Sequence, residues 1–64
     1  MAEKEFWHTY REHQIHLEKI HPDRNWYIRV LCPDGCYGYD GFWEDSEDKS
    51  MREALAEAKQ GALL

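Results

Sequence analysis

A chain of 64 residues forms at most one small domain, and a domain of this size buries only about 60% of the surface that it exposes when unfolded. Its formal net charge of −5, from 13 acidic and 8 basic side chains, argues against ordinary nucleic-acid binding, which depends on a basic surface. Aromatic residues make up 14% of the chain, a share typical of a folded protein rather than a disordered one.

The chain shows no sign of membrane insertion or secretion. No apolar run approaches the roughly 18 residues that a membrane span requires. The N-terminus lacks the charged and then apolar pattern of a secretory signal. We therefore expect a cytoplasmic protein that binds neither a membrane nor nucleic acid directly.

The N-terminal segment, from about residue 3 to residue 20, has the spacing of an amphipathic helix. Its larger side chains recur at steps of four and three residues, which places them on one stripe, whereas Ile15 falls on the opposite side. Pro22 disfavours helical backbone at the residue before it and would end the helix. The stripe consists of Phe6, Tyr10, His13, Leu17 and Ile20.

A β-hairpin is predicted by two segments, at about 26–31 and 37–43, that are rich in β-branched and aromatic residues. The residues between them, 32–36, have the composition of a tight turn. A three-residue loop is favoured because it keeps Pro33 out of a hydrogen-bonded pair. Gly35 then takes the left-handed position of a bulge, and the two flanking cysteines face each other.

This register sorts the hairpin side chains into two faces, with Val30 opposite Gly38 and Trp26 opposite Phe42. The face with the composition of a core consists of Trp26, Ile28, Val30, Cys32, Cys36 and Phe42. The other face is rich in aromatic side chains and contains an arginine, which is typical of a protein interface. Alternatively, the N-terminal helix covers this second face and uses it as core. The second face consists of Tyr27, Arg29, Leu31, Tyr37, Tyr39 and Trp43.

An acidic loop at 44–49 and a second helix at about 50–60 follow the hairpin. Ser50 and Glu53 have the spacing of a capping box, and negative charge ahead of a helix N-terminus is favourable. Gly61 is a candidate for the residue that ends the helix. The predicted buried stripe consists of Met51, Ala54, Leu55, Ala58 and Ala62. Together these elements predict a small α+β domain over 1–64, of the order αββα.

The two cysteines, Cys32 and Cys36, leave three possibilities open: free thiols, a disulfide or half of a zinc site. Zinc would need two further ligands, for which His13 and His16 are candidates. The three residues between the cysteines depart from the usual two, and nothing else indicates an oxidising compartment. We favour free thiols and expect no metal and no cofactor.

No catalytic signature is present in the sequence. His13 is followed by Gln14 rather than by the glutamate of a His-Glu-x-x-His zinc motif, and no serine has flanking glycines. A chain this short also leaves little room for a substrate pocket. We therefore expect that the protein is not an enzyme.

The order strand, turn, strand, acidic loop and helix, with Ser50-Met51-Arg52-Glu53-Ala54-Leu55 at the helix start, resembles the ββα unit of HicB-type antitoxins. The resemblance covers roughly residues 26–60 and implies an antitoxin-like binding protein. The Pro-Gly-Cys element typical of that family's second strand is absent from this chain.

The sequence predicts a small acidic protein-binding regulator or inhibitor, of a bacterial or phage accessory type, that docks on a larger protein. A zinc-stabilised structural module, using Cys32, Cys36 and histidines, is the alternative. The free edges of a two-stranded sheet also make a homodimer possible. The expected partner contacts are Tyr27, Arg29, Tyr37, Tyr39, Trp43, Glu44, Asp45, Glu47 and Asp48.

Overall fold

A computed structural model describes residues 4–62 as a four-stranded sheet followed by one helix. The sheet is antiparallel, and its strands lie side by side in chain order. Helix α1 packs against β2, β3 and β4. The elements are β1 (Lys4–Tyr10), β2 (His13–Lys19), β3 (Tyr27–Leu31), β4 (Tyr37–Phe42) and α1 (Met51–Ala62).

The predicted N-terminal helix is wrong, and with it the αββα fold class, because β1 and β2 form a hairpin there. The apolar residues of this segment fit a helix period, but they also fit the period of two that a strand requires. The burial of Ile15 distinguishes a helix from a strand. A helix would place this residue outside the apolar stripe, yet Ile15 is fully buried. In β2 it alternates inward with Leu17, while His16 points to the opposite face.

The turn between β1 and β2 consists of Arg11 and Glu12, which have φ values of 50° and 66°. Two central residues with positive φ match the type I′ turn that fits the twist of a hairpin. Such turns usually contain asparagine or glycine, so this sequence carries no turn signal. The imidazole Nδ1 of His13 hydrogen-bonds the carbonyl of Arg11 at 2.8 Å and braces the turn from one side.

The hairpin of β3 and β4 is confirmed, as is its three-residue loop. The amide of Cys32 donates to the carbonyl of Cys36 at 2.7 Å, and the amide of Gly35 donates to the carbonyl of Cys32 at 3.0 Å. Gly35 has a φ of 93°, the left-handed conformation that glycine adopts without steric cost.

The predicted register is wrong beyond the first pair of this hairpin. Leu31 pairs with Tyr37, but Val30 pairs with Tyr39, so Gly38 is an extra residue in β4. A bulge of this kind moves every later side chain of the strand to the other face. Tyr39 therefore lies on the helix side, and Phe42 points away from the core that was predicted to contain it.

The core lies between the sheet and α1. Its fully or almost fully buried apolar residues come from β2, β3, the residue before β3 and the helix. Burial of one Ile, Leu or Val side chain contributes about 1.5–3 kcal/mol, so four of them provide much of what a chain of this size can gain. The residues are Ile15, Leu17, Trp26, Ile28, Val30, Ala54 and Ala58.

Two glycines let the end of α1 approach β4 closely. A Cβ atom on Gly38 would lie 3.1 Å from the carbonyl oxygen of Gly61, and one on Gly61 would lie 3.0 Å from Cδ2 of Tyr39. Gly61 does not end the helix, as the sequence suggested; it is buried inside α1, which continues to Ala62. Leu63 and Leu64 lie outside the described residues.

The start of α1 confirms the predicted capping box. The amide of Glu53 donates to Oγ of Ser50 at 3.2 Å, and the amide of Ser50 donates to Oε2 of Glu53 at 3.0 Å. The predicted buried stripe is confirmed as well, because Ala54 and Ala58 are buried and the larger stripe residues pack beside them.

Ser46 fixes the acidic loop to the sheet. It is fully buried, its Oγ accepts the amide of Trp26 at 2.8 Å, and its hydroxyl donates to the carbonyl of Trp43. The amide of Ser46 donates to Oδ1 of Asn25 at 3.2 Å, and the indole of Trp26 donates to the carbonyl of Lys49 at 2.7 Å. The loop is therefore held at Ser46, near its middle, and at Lys49, its last residue.

Lys19 adds a third connection between the loop and the sheet. Its side chain points inward from the end of β2 and is almost fully buried. Its ammonium donates to the carbonyl of Glu47 and lies 5.4 Å from the ring centre of Trp26.

Among residues 4–62, no helix has the length and apolar character needed to cross a membrane.

Candidate functional site

The sheet has one face under α1 and a second face that no described element covers; we call the second face the open face. Direct register partners share a face, and side chains alternate along each strand. The open face is therefore built of three rows that run across the sheet. The rows are Glu5, Glu18, Tyr27 and Phe42; Trp7, His16, Arg29 and Asp40; and Thr9, Gln14, Leu31 and Tyr37.

Large aromatic side chains on the open face are unusually exposed. Trp7 is 64% exposed, and Tyr37 and Phe42 are each 54% exposed. Tyr27 meets Phe42 edge to face, with ring centres 4.9 Å apart. In a small protein with few large apolar residues, placing three of them in water loses core stabilisation. Such a surface is typical of a binding site.

A polar network occupies the middle of this face. The hydroxyl of Tyr27 donates to Oδ1 of Asp40 at 2.6 Å, and Nε of Arg29 donates to the same oxygen at 3.2 Å. The guanidinium also lies over the rings of Tyr27 and Tyr37, at 5.4 and 5.8 Å from their centres. These contacts hold the guanidinium of Arg29 close to both aromatic rings.

The contacts of this network also shift the pKa values of Asp40 and Arg29. The hydrogen bond from Tyr27, and after it the contacts with Arg29, lower the pKa of Asp40. Hydrogen bonds to Tyr27 and Asp40 raise the pKa of Arg29. Asp40 and Arg29 are therefore an ion pair at neutral pH, and the centre of the open face has no net charge.

At the β1 side of the open face, the ring of Trp7 stacks on the imidazole of His16. The ring centres are 3.9 Å apart and the planes differ by 14°. The Nε2 atom of His16 lies 3.1 Å from Oε2 of Glu5, on the neighbouring strand. The register also places Glu18 directly opposite Glu5.

The structure brings only three of the five predicted aromatic-face anchors together. Tyr27, Arg29 and Tyr37 lie on the open face, whereas Tyr39 and Trp43 pack against the core on the other side. Burial raises the pKa of Tyr39, as do the charge and hydrogen bond of Glu57 on α1.

The acidic side chains of the loop are exposed, as predicted. They follow β4 at the end of the sheet where Phe42 lies, and the bonds of Ser46 keep the loop there. The loop therefore adds negative charge at the end of the sheet where Phe42 lies. The exposed acids are Glu44, Asp45, Glu47 and Asp48.

Sequence reasoning missed two exposed aromatic residues of the open face, Trp7 and Phe42. Trp7 lies in the segment that was predicted to be a helix and was not among the predicted partner contacts, and Phe42 was assigned to the core. A signal for Trp7 exists in the alternation from Ile15 to Lys19, which indicates a strand and hence a partner strand before it. No comparable signal exists for Phe42, because the bulge at Gly38 decides its direction.

The residues of the zinc alternative do not come together. His13 and His16 are three residues apart in a strand and point to opposite faces. His13 and Cys32 line one shallow pocket on the helix side, while Cys36 is exposed at the turn. One ion cannot reach both histidines and both cysteines.

No protein-family model, curated protein or solved structure matches the chain. The resemblance of residues 26–60 to HicB-type antitoxins therefore has no family match behind it. The function has to be inferred from the open face itself.

Proposed function

We propose that the protein is a small binding module that docks on a positively charged surface of a larger protein through its open face and the acidic loop. One observation carries this proposal: Trp7, Tyr37 and Phe42 stand exposed on a sheet face that α1 does not cover. Aromatic residues and arginine dominate the energetics of protein interfaces.

The charge of the surface favours a basic partner. Within the described part of the chain, the open face contains the carboxylates of Glu5, Glu18 and Asp40 but only one guanidinium, that of Arg29. The acidic loop, which starts two residues after Phe42, adds further negative charge at that end of the sheet. Complementary potentials speed association and reject partners of like charge. A regulatory or inhibitory role follows if the covered basic surface is one that the larger protein uses.

Single-stranded nucleic acid is the competing ligand for an aromatic sheet face, because bases stack on such platforms. That mode also needs a basic groove along the phosphate backbone. The only guanidinium on the described open face, that of Arg29, is already paired with Asp40 at 3.2 Å. The charge therefore favours a protein over a nucleic acid.

The proposal is tested by capturing partners from an extract of the source organism with the tagged chain, and then measuring affinity for the captured protein by calorimetry. Phe42→Ala is expected to weaken binding by about 2 kcal/mol, the size of an interface hot spot. Gln60→Ala, on the exposed side of α1, is the matched control and should bind as the parent does. Circular dichroism verifies that both variants fold.

Three results would contradict this function. The first is equal affinity of Phe42→Ala and the parent for the captured protein. The second is binding that does not weaken between low and high salt, which removes the electrostatic part of the proposal. The third is binding of a single-stranded oligonucleotide, or a dimer of this chain that Phe42→Ala dissociates, because the open face would then serve a different ligand.

A further inference from the structure

We propose that Glu5, His16 and Glu18 form a site for one divalent transition-metal ion of the zinc class. The three side chains come from β1 and β2, and each offers one ligand atom. These ligand atoms all lie within 4.8 Å of one another. The proposal goes beyond protein binding and does not depend on it, because the ligand is an ion and its binding can be measured without a partner.

Two carboxylates face each other directly in this cluster. Glu5 is the register partner of Glu18, and like charges in that position destabilise a sheet. Within the described part of the chain, Glu5 hydrogen-bonds His16, and neither glutamate has a lysine or arginine as an ion-pair partner. The neighbouring lysines, Lys4 and Lys19, alternate onto the face under α1. An ion with two positive charges would balance the two carboxylates in full.

His16 distinguishes this cluster from an ordinary acidic patch. Its Nε2 atom lies 3.1 Å from Oε2 of Glu5, so the imidazole is turned toward the carboxylates. Trp7 stacks on the ring at 3.9 Å and restricts its rotation. A neutral imidazole nitrogen offers a lone pair. One such nitrogen and two carboxylate oxygens form a donor set that suits zinc and neighbouring divalent metals.

The three ligand atoms are close enough that side-chain rotation alone would bring them to coordination distance from one ion. Zinc binds histidine nitrogen and carboxylate oxygen at about 2.0–2.2 Å, and the carboxylate of Glu5 is exposed enough to rotate toward Nε2 of His16. Glu18 and His16 also line a shallow pocket beside Phe42. Three protein ligands therefore leave a fourth coordination position on the open side for water or for a group of another molecule.

Arg29 is the positive group closest to the site in register, since it pairs with His16. Its guanidinium is bound to Asp40 at 3.2 Å and to the hydroxyl of Tyr27 at 3.3 Å. The Arg29–Asp40 ion pair contributes no net charge. The local charge that an entering cation meets is therefore that of the two glutamates.

Calorimetric titration of the 64-residue chain with zinc chloride at pH 7.5 tests the proposal. The parent for this test is Cys32→Ser/Cys36→Ser, stripped of metal, because thiolates would compete for zinc. We expect one ion per chain. Glu18→Gln should bind zinc at least about tenfold more weakly, since losing a metal ligand should cost no less than losing one of its supporting hydrogen bonds. Glu12→Gln, in the exposed turn, is the matched control and should bind as the parent does.

Thermal melting separates the loss of a ligand from misfolding. Without metal, Glu18→Gln should melt above the parent, because it removes one of two opposed charges. With zinc at a concentration that saturates the parent, the parent should gain melting temperature, because the ion binds the folded chain, and Glu18→Gln should gain clearly less. A variant that merely folds poorly would melt lower in both conditions.

Two outcomes would overturn the site. One is that the parent without cysteines binds no zinc at concentrations up to about 1 mM, which corresponds to less than about 4 kcal/mol of binding energy. The other is that Glu18→Gln and the parent bind zinc with equal affinity.

Discussion

Ser46 is the residue on which the position of the acidic loop depends. It is fully buried within a run of exposed acids, and its hydrogen bonds reach the backbone of Trp26 and Trp43. A buried hydroxyl that both donates and accepts has no apolar substitute of similar chemistry. Its small size and its position between charged neighbours conceal this role in the sequence.

We predict that Ser46→Ala destabilises the protein by about 1–3 kcal/mol, because the amide of Trp26 loses its buried acceptor. Denaturant unfolding monitored by tryptophan fluorescence gives the change in free energy. Glu44→Ala, a neighbouring exposed position, is the control and should change stability by less than about 0.5 kcal/mol. Equal effects of the two substitutions would show that the hydroxyl does not anchor the loop.

At the scale of elements, the turn between β1 and β2 decides the architecture. Arg11 and Glu12 adopt positive φ in a hairpin of about sixteen residues, where an ordinary helical segment would have negative φ throughout. Each non-glycine residue in the left-handed region costs roughly 1 kcal/mol. The pairing of β1 with β2, and the burial of Ile15 and Leu17 that it permits, must offset that cost.

Glu12→Gly distinguishes a hairpin from a helix by the sign of its effect. In the turn, glycine relieves the left-handed strain at a φ of 66°, so we predict a gain of about 0.5–1 kcal/mol. In the middle of a helix the same substitution would cost about 1 kcal/mol. Chemical denaturation of Glu12→Gly and of the control Glu12→Ala measures the difference, and a net loss for glycine relative to alanine would argue against the hairpin.

The contact between α1 and β4 depends on Gly38. We predict that Gly38→Ala lowers stability by about 1 kcal/mol or more, because the new methyl group would lie 3.1 Å from the carbonyl oxygen of Gly61. Gly41→Ala is the matched control in the same strand, since a Cβ there meets nothing within 4 Å. Thermal melting compares the variants; if Gly38→Ala melts with or above Gly41→Ala, the helix does not approach β4 this closely.

Elements with strong local signals were predictable. The capping box of Ser50 and Glu53 located α1, and the composition of 32–36 located the β3–β4 turn with its three-residue loop. The first hairpin was not predictable in the same way, because Arg11-Glu12 carries no turn signal and the apolar residues before and after it fit two periods. Tertiary burial of Ile15, which only the strand permits, decides between them.

The candidate site was predictable only in part, for the same physical reason. Tyr27 and Arg29 precede the bulge along the chain, and alternation from the turn places them correctly. Tyr39 and Phe42 exchange faces because Gly38 adds one residue to β4. The bulge at Gly38 packs closely against Gly61 at the end of α1. This contact exists only in the assembled fold, so the sequence of β4 alone does not reveal it.

At the scale of the whole molecule, one face of the sheet packs under the helix and provides stability, and we propose that the other serves recognition. The helix covers β2, β3 and β4 with small residues, so the core is thin and uses its few large side chains on one side. The aromatic groups of the open face stand outside this core. A net charge of −5, with acids on the open face and in the loop after β4, supports the proposal that this face binds a basic surface.

The four-stranded sheet changes which strand edges are available for the predicted edge-to-edge homodimer. The β3 edge that was expected to be free is paired with β2, which leaves β1 and β4 as the two outer strands among the described residues. A dimer through an outer strand would leave the open face exposed, whereas a dimer through the open face would bury Trp7 and Phe42. The two arrangements are therefore distinguishable by the response of Phe42→Ala.

The central claim, that the open face is the binding surface, is tested most directly by nuclear magnetic resonance. The isotope-labelled chain is titrated with the protein that it captures, and backbone and indole signals are followed. We predict that the largest changes fall on Trp7, Tyr37, Phe42 and the acidic loop, while the exposed side of α1 around Arg52 and Gln60 is unaffected. Changes centred on α1, with the signals of Trp7 and Phe42 unmoved, would contradict the account.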